Sequence, residues 1–161
     1  AVGAVVLIDS PLNDRPPEEE YVRQRRRPTR VYPTTDAAIA RFSTLPPQDV
    51  LLPYIRKHVA RTSLRPVEGG WTWKFDPAFF GRRLPLRELL PRLECPVSLL
   101  RCERGLVSPE MAVSMRGLVG HRLSVVDLPD TGHHPMLDQP LALATGLRTL
   151  LAVWPPNVSC H

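Results

Sequence analysis

The 161-residue sequence is 43% hydrophobic and 23% charged, a globular balance that excludes disorder and is enough for one ordinary domain with a real core. Nineteen prolines exclude a helix bundle and imply many short elements and loops. The formal charge of +5 is almost all arginine. No basic run is interleaved with stacking aromatics, and Arg23–Arg27 lies beside Glu18–Glu20, so this charge reads as solvated surface rather than a nucleic-acid footprint.

Cys95, Cys102 and Cys160 form no C-x-x-C pair and no metal-ligand spacing. Neither a metal nor another cofactor is expected, and an odd thiol count without a secretory leader fits a reducing cytoplasm. No apolar run approaches the ~20 residues that span a bilayer. The sequence has no initiator methionine and begins inside what reads as a strand, so it is expected to be a piece of something longer.

In chain order, Gly3–Ile8 is a continuous apolar run, the pattern of a strand buried on both faces of a parallel sheet. Residues 12–34 are polar and proline-rich, with at most a short helix around Glu18–Arg27. Thr34-Thr35-Asp36 reads as an N-cap ahead of Ala37–Phe42. Beyond Pro46-Pro47, Leu51, Leu52, Ile55 and Val59 form the stripe of an amphipathic helix. Gly69-Gly70 is a turn, and Trp71–Phe75 alternates as an extended segment. From Ser10 to about Pro85, then, the chain reads as small helices and loops inserted between two sheet strands.

The alternating pattern resumes with a helix over Leu86–Leu93 and a strand over Cys95–Leu100. A helix over Glu110–Val119 follows, with Ser108 as N-cap and Pro109 at its first position. Leu123–Leu128 is the next strand, Pro129–Gly132 a tight turn, and Leu141–Trp154 the closing helix. Residues 155–161 read as a frayed tail. Strands separated by helices imply parallel pairing through right-handed crossovers. The expected fold is α/β: part of a doubly wound parallel sheet from residues 1–9 and 86–154, with a helical cap insertion over 10–85.

The stretch after Leu128 carries the chemistry. It presents His133 and His134 between a strand and a helix, where an imidazole at the rim of a sheet serves as a general base for nucleophilic catalysis. Gly132-His133 followed by Asp138 and Pro140 resembles the histidine loop of the α/β-hydrolase superfamily. Val6–Pro11, Gly70–Pro77 and Cys95–Arg101 resemble further strings of that superfamily in the same order, so the likeness covers nearly the whole chain.

The resemblance implies a hydrolase acting on small apolar esters or related acyl compounds, with His133 as the triad histidine. In the usual arrangement the acid follows the strand that ends here at Arg101. Gly105 stands there instead, leaving Glu103 as one candidate and Asp9, at the end of the first strand, as its equal. His134 reads either as a chance neighbour of His133 or as a substrate contact facing the cap. Trp71 and Trp73 read either as substrate contacts or as anchors of the cap, and Asp138 as a cap of the last helix. Cys102 reads as a buried, inert thiol.

The sequence contains neither the G-x-S-x-G nucleophile elbow of the superfamily nor its His-Gly oxyanion loop. The chain by itself is therefore expected to be inactive, its nucleophile supplied from elsewhere. The alternative is a non-catalytic module that self-associates or docks on a partner through the open edge of Gly3–Ile8.

Overall fold

The computed structural model describes residues 2–12, 30–49, 52–75 and 85–154. The expected helix around Glu18–Arg27 and the tail beyond Trp154 lie outside these residues. The chain divides into two compact units, one of Ala1–Asp14 with Pro85–His161 and the other of Arg15–Leu84.

The first unit is built on three parallel strands, β1 (Val5–Ile8), β4 (Val97–Arg104) and β5 (Leu123–Gly132), in the order β1-β4-β5. Alternation along each strand sends side chains to opposite faces. Val5, Leu7, Val97, Leu99, Leu123 and Val125 face one core with Ala112, Met115 and Val119 of α4 (Pro109–Val119). Val6, Ile8, Leu100, Cys102, Val126 and Leu128 face the other with Leu143, Leu147 and Leu150 of α6 (Pro140–Val153). Helices thus cover both faces, which is why the strands read as continuous apolar runs rather than alternating ones.

Helix α4 begins as its sequence dictates: Ser108 Oγ accepts from the Met111 amide at 3.2 Å, and Pro109 occupies the first turn. The expected helix at Leu86–Leu93 is shorter. α3 (Leu86–Leu89) passes into a 3-10 turn over Leu90–Arg92, because Pro91 has no amide to continue the ladder.

The second unit holds α1 (Thr35–Ile39), α2 (Pro53–Thr62) and an antiparallel hairpin of β2 (Leu64–Val67) with β3 (Gly70–Trp73). Thr34 Oγ1 caps α1 by accepting from the Ala37 amide at 3.1 Å. Leu52, Ile55 and Val59 are half-buried while Tyr54, Lys57 and His58 are exposed; Leu51 lies outside the described residues. Tyr32, Ala38 and Leu64 make a small core against which Trp71 and Trp73 pack. Gly70 has φ 145°, and a Cβ there would lie 2.1 Å from the Tyr32 carbonyl oxygen. That carbonyl accepts from the Trp71 amide at 2.7 Å, so only glycine permits this approach.

Candidate active site

Two strand ends and one turn converge in the first unit. β1 stops at Asp9, whose amide still donates to the Leu100 carbonyl at 2.8 Å. Asp9 then takes φ 43°, a left-handed conformation that aspartate tolerates better than most residues. Its side chain is fully buried. Oδ2 accepts from the Leu106 amide at 2.7 Å, and Oδ1 from the amides of Val107 at 3.2 Å and Cys102 at 3.4 Å. The fourth partner is the imidazole of His133, with Nδ1 2.8 Å from Oδ2. An ionised carboxylate accepts and does not donate, so towards it Nδ1 is the donor, and in the neutral ring the lone pair is then on Nε2. That is the tautomer a general base requires.

β5 delivers His133. The register with β4 runs from Cys102 opposite Leu128 to Arg104 opposite Gly132, so two steps on β4 face four on β5. The expected turn at Pro129–Gly132 is therefore a bulge inside a longer strand. Proline, which lacks a ladder donor, sits in the bulge, and Asp130 adopts φ 53°. The bulge is fastened on both sides: the Asp130 amide donates to Glu103 Oε2 at 2.8 Å, the Asp130 carbonyl accepts from Arg104, and Thr131 Oγ1 donates to the Leu128 carbonyl at 2.6 Å.

Beyond the strand comes the single turn α5 (Pro135–Asp138). Buried Asp138 turns back to accept from the Gly132 amide through Oδ2 at 2.7 Å. The histidine loop is thus closed by its own sixth residue. Asp138 does not cap the closing helix as expected; α6 starts from Gln139 with no side-chain cap.

The structure brings together His133 and Asp9 and sets the His134 ring edge-on to His133, centroids 4.7 Å apart. It does not bring Glu103 to the imidazole: strand alternation carries that carboxylate to the Asp130 amide instead. Trp71 and Trp73 belong to the second unit, where Trp73 packs on Tyr32 and Phe42 at centroid distances of 6.0 and 5.7 Å. Among the described residues no cluster of three or more ligating side chains could hold a metal.

Burial pushes the Cys102 thiol up to about 11 from its ordinary 9.0, with a hydrogen bond to Thr131 opposing the shift. Iodoacetamide at pH 7.5 is expected to leave Cys102 intact in the folded protein and to modify it after unfolding; rapid native labelling contradicts this. The unfolded chain ionises first. The stabilising effect of the neutral thiol is therefore complete below pH 9 and is lost as pH rises to about 11.

No protein-family model and no curated protein sequence matches this chain. Solved structures do. E-2-(acetamidomethylene)succinate hydrolase superposes with a TM-score of 0.68 at 22% identity over 94% of this chain and 58% of its own. The thioesterase domain from the curacin biosynthetic pathway gives 0.66 at 19% identity over 92% and 58%. An esterase from Mycobacterium tuberculosis gives 0.64 at 19% identity over 94% and 53%. The chain has the α/β-hydrolase fold. It spans a little over half the length of these proteins.

Proposed function

We propose that this chain supplies the general base and its orienting acid to a serine-type α/β-hydrolase acting on small apolar esters or related acyl compounds. The nucleophile would come from a segment outside this sequence, so the chain alone is read as inactive. The observation that carries the proposal is the 2.8 Å contact between His133 Nδ1 and the buried Asp9 carboxylate.

In the proposed reaction, Nε2 takes the proton of a serine hydroxyl as its oxygen bonds to the acyl carbon. The imidazolium then returns the proton to the departing alkoxide. Water, activated the same way, releases the acid and restores the serine. Asp9 stabilises the imidazolium and keeps Nδ1 protonated. The Arg15–Leu84 unit is read as the cap. Unpaired Cys95 and Cys102 favour a reducing, cytoplasmic setting. No helix among the described residues is long and apolar enough to cross a membrane.

Among the described residues β1 pairs with one strand, β4, and it carries apolar side chains on both faces. Its other edge is where we place the strand that brings the nucleophile; a purely non-catalytic partner at the same edge is the second reading. Fluorophosphonate labelling of the native product that contains this chain separates them. One labelled serine, lost in His133→Ala, is expected. A native product that takes no label overturns the hydrolase reading.

A further inference from the structure

The turn that follows β4 contains an opening filled by a neighbour's side chain. A Cβ built on Gly105 would lie 2.1 Å from Asp9 Oδ2, 2.4 Å from Cγ and 2.5 Å from Oδ1. All three distances are well inside contact, and the group met is a carboxylate held by four partners rather than the free end of a flexible chain. Gly105 itself is pinned, since its amide donates to the Cys102 carbonyl at 3.0 Å. The next two residues, Leu106 and Val107, are the ones whose amides hold the carboxylate. Backbone at 105 therefore cannot retreat without withdrawing those donors.

We propose that Gly105 is a positioning residue for the His133–Asp9 pair: the absent Cβ at 105 makes the space in which the Asp9 carboxylate reaches Nδ1. This deepens the reading of Asp9 as the orienting acid and rests on it. It extends to sequence: an acid at the end of β1 demands glycine in the turn after β4. A β-carbon at 105 and a carboxylate from position 9 are mutually exclusive.

The test uses this chain as it stands, with no substrate, so it can fail while the hydrolase reading survives, or the reverse. Proton NMR at low temperature reports the His133 Nδ1 proton, assigned by its loss in His133→Ala and shifted downfield by the carboxylate. Gly105→Ala is expected to abolish that resonance and to lower the melting temperature. Gly105→Ala in an Asp9→Ala background is expected to cost far less than in wild type, because the colliding group is gone. This steric coupling holds as a readout even where Gly105→Ala alone fails to fold, since the double variant is then rescued. A wild-type Nδ1 resonance in Gly105→Ala overturns the proposal. So do equal losses of melting temperature in the two backgrounds.

Discussion

Asp9→Asn is expected to lower kcat on the order of 10⁴-fold in the proposed hydrolase that contains this chain, while leaving it folded. The reason lies in who donates. Oδ2 accepts from Leu106 and His133, Oδ1 from Val107 and Cys102. An asparagine with its oxygen toward Val107 turns its NH₂ on Nδ1. The imidazole must then accept there, placing its proton on Nε2, where no base remains. The opposite rotamer keeps Nδ1 protonated but sets NH₂ against two backbone donors in a buried site. Either choice removes the negative charge that stabilises the imidazolium. Glu103→Gln makes the control, because its amide oxygen still accepts from Asp130 and activity should stay within a few-fold. Steady-state kinetics on a short acyl ester reads both. Wild-type turnover by Asp9→Asn, or a collapse confined to Glu103→Gln, would remove Asp9 as the orienting acid.

Much of this was legible because local chemistry and tertiary structure agree. Ser108-Pro109 starts α4 where its side chains require, and the apolar runs of β1 and β4 follow from helices on both faces. His133 could be found from its setting between strand and helix. Its carboxylate partner could not, since Asp9 and Glu103 stand at comparable strand ends and only pairing decides which of them meets Nδ1. A signal was present in Gly105. Its place in the turn read as a missing acid, whereas the glycine is the space that the carboxylate of Asp9 occupies. Periodicity reports which face a residue takes, not which two ends meet. The bulge at Pro129-Asp130 was hidden for a related reason. Proline followed by aspartate signals a turn, but the amide and carbonyl of Asp130 find partners on Glu103 and Arg104, and that cross-strand pairing keeps the segment in the sheet.

Asp138 carries the second large effect. Its buried Oδ2 takes the Gly132 amide at 2.7 Å, one residue before the imidazole, across the loop that leads into single-turn helix α5. Hydrogen bonds to charged groups contribute about 1.5–3 kcal/mol. Asp138→Ala removes the acceptor and leaves the Gly132 donor in a buried position. A melting temperature lower by roughly 4–8 °C is expected, from about 2 kcal/mol at 2–4 °C per kcal/mol for a chain of this size. Turnover in the proposed hydrolase is expected to fall about 100-fold, because a displacement near 1 Å at a catalytic group has that effect. Asp138→Asn, which keeps an acceptor oxygen, should recover most of both. The Nδ1 resonance of His133 adds an independent reading: broadened or lost in the alanine variant, retained in the asparagine one. If Asp138→Ala melts and turns over like wild type, the loop is held by its strand and helix alone. The acidic residue that follows Gly-His would then have no part in aiming the base.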